Sequence, residues 1–185
     1  MANLTLVAQR KRLKEYMRSP GTRPFIIDRA DEYCVCEVLF PTVASEIRFH
    51  VRFFLAWLIS WFPHSDVKIW LARRMGARIG NNVYIAPGVL IDPYFPWLIE
   101  IEDECFLGLY CRLFTHEYTA SNFRLGPVKI KRGAVVGAHS TIRSGVTVGE
   151  SATVGFDSLV NHDVPDRATV GGVPAKILKN ENGCE

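Results

Sequence analysis

Residues 130–165 read IKRGAV VGAHST IRSGVT VGESAT VGFDSL VNHDVP, a single six-residue beat held over six consecutive units. The first position is always Ile or Val: Ile130, Val136, Ile142, Val148, Val154 and Val160. The fifth is small or β-branched: Ala134, Ser140, Val146, Ala152, Ser158 and Val164. Glycine recurs second, at Gly137, Gly149 and Gly155. An amphipathic helix wants apolar residues every three or four positions, and a long half-buried strand wants them every two. A six-residue unit with one large and one small inward residue, then a glycine or polar turn, describes a short strand ended by a corner. One such coil cannot bury its own apolar face, so coils must stack with like positions over like. An ordinary meander of short strands would not hold phase for so long.

Upstream the same beat is carried by Ile79, Ile85 and Ile91, then by Ile101, Leu107 and Leu113, with Gly80 and Gly108 in the glycine position. After Leu113 it breaks. Residues 114–129 read FTHEYTASNFRLGPVK, and the next aliphatic in register is Ile130. This segment must leave the coil as a loop, and loops that interrupt a rigid scaffold commonly carry binding and chemistry. His116 and Glu117 stand at its start. Tyr118, Asn122, Phe123 and Arg124 follow, a polar and ring-bearing set suited to a sugar.

The hexads resemble those of the hexapeptide-repeat acyltransferases. The closing segment DVPDRATVGGVPAKILK (163–179) is similar to that of the sugar O-acetyltransferases in that family. VYIAPGVLIDPYFPWLIEIEDECFLGLYCRLFTHEY (83–118) resembles, more narrowly, the colanic-acid and polysaccharide-biosynthesis acetyltransferases, and the resemblance spans 79–179. It implies a mainly β fold, a left-handed parallel β-helix with three hexads per coil, although general crossover rules favour the other hand. It implies acetyl-CoA as co-substrate, a sugar or glycan acceptor, and a homotrimer with active sites between subunits. His116 would be the general base, because a neutral imidazole with a pKa near ~6.5 can take the proton of an attacking hydroxyl. Glu117 would orient it if its side chain turns back. Gly137 and Ala138 would lie along the pantetheine arm, with Phe156 and Asn161 on the next coils. Lys176 and Lys179 would meet the nucleotide phosphates, a charge-assisted contact. One departure is Pro87, where several sugar acetyltransferases of the group carry asparagine.

The same scaffold also serves γ-type carbonic anhydrases, whose zinc needs three protein ligands converging at about 2.0–2.1 Å. That family has two of its histidines close together on one coil. Here His116, His139 and His162 are evenly spaced 23 apart with no close pair, so no metal is expected. His139 and His162 fall at turn positions, His139 lining a groove between coils and His162 at a surface corner. A non-catalytic β-helix that only binds is the other alternative.

Residues 1–78 do not repeat. Leu6, Val7, Leu13, Tyr16 and Met17 outline one amphipathic helix, and a second runs from about Thr42 to Trp61 between Pro41 and Pro63. A third has Ser65 as N-cap, Gly76 just past its end, and Ile69, Ala72 and Met75 inward. Such a segment caps an open solenoid end. The expected division is 1–78 helical cap, 79–179 β-helix and 180–185 tail.

Net charge is +3, too mild to imply nucleic acid, but Arg10, Lys11, Arg12, Lys14, Arg18 and Arg23 cluster against Glu15 alone. The cysteines Cys34, Cys36, Cys105, Cys111 and Cys184 match neither a zinc nor a disulfide pattern. Free thiols and the absence of a signal-peptide pattern point to the cytoplasm. The most apolar run, 53–62, is half the ~20 residues a spanning helix needs. It is either a core helix or, with the basic N-terminus, a peripheral contact at the inner membrane face.

Overall fold

The computed structural model describes residues 2–21, 23–28, 42–119 and 122–180; Cys34, Cys36, Pro41 and Cys184 lie outside them. The N-terminal part contains α1 (Ala2–Arg18), β1 (Phe25–Asp28), α2 (Val43–Trp61) and α3 (Ser65–Met75). After α3 the chain is mainly two- to five-residue strands, and the parallel ones wind as a left-handed β-helix of three faces.

The first face stacks β2 (Arg78–Ile79), β5 (Ile99–Ile101), β10 (Val128–Ile130) and β13 (Thr147–Val148). The second stacks β3 (Tyr84–Ile85), β6 (Phe106–Leu107), β11 (Val135–Val136), β14 (Thr153–Val154) and β16 (Ala168–Gly171). It ends in an antiparallel strand, β17 (Lys176–Asn180). The third stacks β4 (Leu90–Ile91), β7 (Arg112–Leu113), β12 (Thr141–Ile142) and β15 (Leu159–Val160). Register is strict: Ile79, Ile101, Ile130 and Val148 lie over one another, as do Ile91, Leu113, Ile142 and Val160. All the first- and fifth-position residues of the six downstream hexads are buried. The inward serines are satisfied, the Ser140 and Ser158 hydroxyls donating to the Gly155 carbonyl at 2.7 and 2.8 Å. Cys105 and Cys111 are buried free thiols at the same inward position of their hexads, Cys105 stacked with Ala134 and Cys111 with Ser140, and burial pushes them up to about 11 and about 12.

The second-position glycines have a steric cause. A Cβ on Gly137 would sit 2.7 Å from the Val154 carbonyl oxygen, and one on Gly108 2.6 Å from the Ala138 nitrogen. At these corners successive coils approach backbone to backbone.

α3 closes the open end of the first coil, whose carbonyls and amides have no coil above them. Arg73 donates to the Ile79 carbonyl at 2.8 and 3.0 Å, and the buried Lys68 ammonium donates to the Ile85 carbonyl at 3.0 Å. Burial holds Lys68 below the usual lysine range. Ser65 does not cap its own helix. His64 occupies the N-cap position, and the Ser65 hydroxyl accepts from the Ile85 amide at 2.9 Å instead. The helix stops where expected, at Gly76 with φ 113°, a conformation glycine adopts cheaply. α2 begins with a Thr42–Ser45 capping box.

The N-terminal part does more than cap. β1 pairs antiparallel with β9 (Asn122–Leu125), which pairs with β8 (His116–Tyr118), so the extruded segment is a hairpin completed by a strand from far upstream. Leu13, Ile27, Phe95, Leu98, Phe123 and Leu125 form a second core beneath it.

Candidate active site

Two insertions leave the β-helix at the same corner. Ile91 and Leu113 are vertical neighbours on the third face, so Asp92 and Phe114 occupy equivalent exit positions one coil apart. From Ile91 the next anchor is ten residues on, at Ile101; from Leu113 it is seventeen on, at Ile130. The shorter insertion turns back through a 3₁₀ turn (Pro96–Leu98), and the longer becomes the hairpin. Their stacked exits bring Asp92 against Thr115 and His116.

Asp92 is fully buried and its carboxylate is saturated with donors. One oxygen accepts from the Thr115 amide at 2.9 Å, the Thr115 hydroxyl at 2.5 Å and His116 Nδ1 at 2.6 Å; the other accepts from the Tyr94 amide at 2.9 Å. Burial by itself would raise the carboxyl, but the hydrogen bond and charge of His116, with the Thr115 and Tyr94 bonds, outweigh it and hold Asp92 below the usual carboxylate range. An ionised Asp92 accepts only, so the neutral form of His116 carries its proton on Nδ1 and leaves Nε2 as an acceptor.

The imidazole is 15% exposed and sits in an aromatic box. Tyr94 lies 4.6 Å away between ring centroids, Phe95 meets it edge-on at 5.5 Å, and Tyr118 and Phe123 each lie at 6.3 Å.

The expected orienting role of Glu117 is corrected by this arrangement. Side chains alternate along β8, so Glu117 points away from His116. Its carboxylate accepts from Arg143 Nε at 2.7 and 2.8 Å and from the Ser144 hydroxyl at 2.7 Å. Arg124, expected at the acceptor, joins the same cluster through the Ser144 carbonyl at 3.0 Å. The pair clamps the hairpin to the third coil. Asn122 closes the hairpin turn with Thr119, and Phe123 is buried in the second core behind the imidazole. Of the four loop residues, Tyr118 is the half-exposed ring on the His116 side.

Asp92 was missed because its partner is 24 positions away. A signal existed: the step from Ile91 to Ile101 is itself a break in the beat, opening with an acid.

The residues expected along the cofactor fall at two edges of the third face. Asn161 continues the Asp92 column, one coil above Arg143, and its side-chain Oδ1 is buried without a hydrogen-bond partner. Ala138 and Phe156 sit at the opposite edge, where the second face turns into the third, on a ridge with the exposed Leu109 and Tyr110. Lys176 and Lys179 are exposed on β17, in the second-face sheet. The chain therefore does not itself bring Gly137, Ala138, Phe156 or the lysines to His116. His139 stacks on Tyr110 at 5.2 Å on that far ridge, whereas His162 follows Asn161, so the three evenly spaced histidines do not converge.

No family profile matches the sequence. YvoF of Bacillus subtilis, an acetyltransferase by name, is 33% identical over 128 residues, covering 69% of this chain and 74% of that protein. The galactoside O-acetyltransferase of Escherichia coli is 32% identical over 105 residues, covering 56% of this chain and 44% of that protein. In fold, the hexapeptide-repeat acetyltransferase VCA0836 of Vibrio cholerae, crystallised with acetyl-CoA, superposes with a TM-score of 0.64 at 23% identity over 75% of this chain and 90% of that one. A shared coil architecture and a relative of this identity and coverage agree: the chain belongs to the hexapeptide-repeat acetyltransferases.

Proposed function

We propose that the protein transfers acetyl from acetyl-CoA to a hydroxyl of a sugar or glycan precursor, with His116 as general base. The observation that carries this reading is the 2.6 Å contact between His116 Nδ1 and the buried Asp92 carboxylate, which fixes the tautomer with Nε2 as acceptor. Nε2 takes the hydroxyl proton as the oxygen attacks the thioester carbonyl. The tetrahedral intermediate collapses, the carbon–sulfur bond breaks, and the imidazolium returns its proton to the departing thiolate, leaving an ester and free coenzyme A. No covalent enzyme intermediate is needed, because the thiolate is already a good leaving group. The acyl-donor assignment is supported by acetyl-CoA in the VCA0836 crystal, and the acceptor class by the galactoside O-acetyltransferase relative. Tyr118 is the ring placed to meet a sugar.

The orphaned Asn161 Oδ1 suits an amide N–H of the pantetheine arm, a donor that would satisfy a buried acceptor. Because Asn161 and Ala138–Phe156 lie at opposite edges of one face, a site using both sets is completed by apposing one subunit's His116 edge to the next subunit's Phe156 edge. A cyclic trimer does this three times over. Phe156, 74% exposed, then has a surface to cover.

The test is a coenzyme A release assay across sugars and nucleotide sugars, run with wild type and His116→Ala. Loss of about 10²–10⁴-fold in turnover with KM for acetyl-CoA little changed is expected for a removed base. Full turnover in His116→Ala on a verified acceptor would overturn the assignment.

A further inference from the structure

α2 has two apolar faces, and only one is used by the fold. Its inner face buries Ala56 and Ile59 against the β-helix. On the other side Val43, Ile47, His50, Phe54, Trp57 and Trp61 follow one another at steps of four and three, which lines them along one stripe of the helix. Its five apolar members are all more than half exposed, as is the flanking Val51. A run of exposed large apolar residues of this length marks a contact surface.

The residue types say what covers it. A helix–helix seam with this spacing favours Leu, Ile and Val as knobs that fit holes. Here the central and C-terminal half of the stripe is Phe and Trp, the side chains that settle at the headgroup level of a bilayer. The neighbouring charge is complementary to an anionic surface. α1 exposes Lys11, Arg12, Lys14 and Arg18, and its Met17 shares a cleft with Ser45, Arg48 and Arg52 on the side of α2 turned away from the stripe, so the basic helix lies about one helix diameter, ~10 Å, behind it. Among the described residues no helix is long and apolar enough to cross a membrane. We infer that α2 lies in the plane of an anionic bilayer surface, its Phe54–Trp57–Trp61 stripe buried among the headgroups and the α1 cations behind it attracted to the surface charge over about a Debye length.

The placement has a consequence for the site. An open groove of about 550 Å³, lined by Phe49, His50, Phe53, Phe54, Trp57 and Tyr94, runs from this stripe to the Tyr94 ring, which packs on His116 at 4.6 Å. The bilayer-facing helix and the base share one wall.

The test uses the full chain and sedimentation with vesicles of phosphatidylcholine alone or mixed with phosphatidylglycerol, read also by tryptophan emission. Wild type is expected to bind the mixed vesicles, more weakly as salt rises and more weakly still to pure phosphatidylcholine. The Phe54→Ser/Trp57→Ser/Trp61→Ser variant should lose at least about tenfold in partitioning. If circular dichroism shows that variant unfolded, Trp61→Ser alone should give a smaller loss in the same direction. Failure of wild type to bind either vesicle, or unchanged binding by the variants, overturns the inference. So does a wild-type oligomer that the triple variant dissolves while neither protein binds lipid, since the stripe would then be a contact between copies.

Discussion

The Asp92 carboxylate and the His116 imidazole touch at 2.6 Å although 24 residues separate them, because each leaves the β-helix at the same corner, one coil apart. Neither insertion alone makes the pair. The parallel ladder between β4 and β7 holds the two exits in register, so the rigidity of the solenoid becomes the rigidity of the pair.

Asp92→Asn keeps the shape and removes the charge. An asparagine can offer its NH₂ to Nδ1 and stabilise the tautomer whose Nε2 is already protonated. Turnover should fall by about 10²–10⁴-fold, with KM for acetyl-CoA close to wild type. A merely structural role for Asp92 would instead leave turnover close to wild type once the protein is folded and saturated, so kcat measured on the folded variant separates the two.

Acid stability follows from the same carboxylate. Its folded pKa is depressed relative to the unfolded chain, so the stabilisation it contributes is present above the ordinary carboxylate range and is lost as pH falls through the lower folded value. Urea midpoints measured from neutrality down to pH ~3 should drop more steeply for wild type than for Asp92→Asn. Parallel curves would mean that Asp92 titrates alike in both states.

Glu117→Gln should be far milder than His116→Ala. Its partners Arg143 and Arg124 are partly exposed, and a pair of that kind contributes about 0–1 kcal/mol. Less than about a tenfold loss of turnover is expected, with the acceptor KM moving more than kcat as the hairpin loosens. A loss equal to that of His116→Ala would return Glu117 to the chemistry.

The parts of the fold that were legible depended on local repetition. The inward columns from Ile130 to Val164 could be read because each hexad repeats the same burial problem, and the break at Leu113 could be read because the repeat defines what is missing. The break drew attention to His116, but the role expected of it came only from the family resemblance. Asp92, β1 and the true role of Ser65 did not follow, since each is decided by a partner one coil or one domain away: His116, β9 and the Ile85 amide. Phe123 looked like a ligand-stacking ring from its loop position, but the hairpin alternates, and its side of β9 faces the second core.

Gly137→Ala tests the close approach of coils. The added Cβ meets only backbone, the Val154 oxygen at 2.7 Å and the Phe156 nitrogen at 2.8 Å, so nothing soft can give way. A cost of about 1–3 kcal/mol is expected, a fall in Tm of several degrees. Gly155→Ala, whose nearest contact would be 3.3 Å, should cost less. Equal melting temperatures for the two variants would show that the corner relaxes.

The proposal that the site is divided between subunits can be tested by mixing. His116→Ala leaves the Ala138 edge intact, and Ala138→Phe fills that edge while leaving the Asp92–His116 pair intact. Each variant alone should form inactive trimers, because every site lacks one half. Co-assembled at equal amounts in a cyclic trimer, about a quarter of the sites pair a good His116 edge with a good Ala138 edge, so about a quarter of wild-type turnover should return. A site contained in one chain cannot be rescued this way, since every chain carries a defect. Two well-folded variants that co-assemble and stay inactive would therefore place the acetyl transfer within a single subunit, along the third face between Asn161 and Phe156.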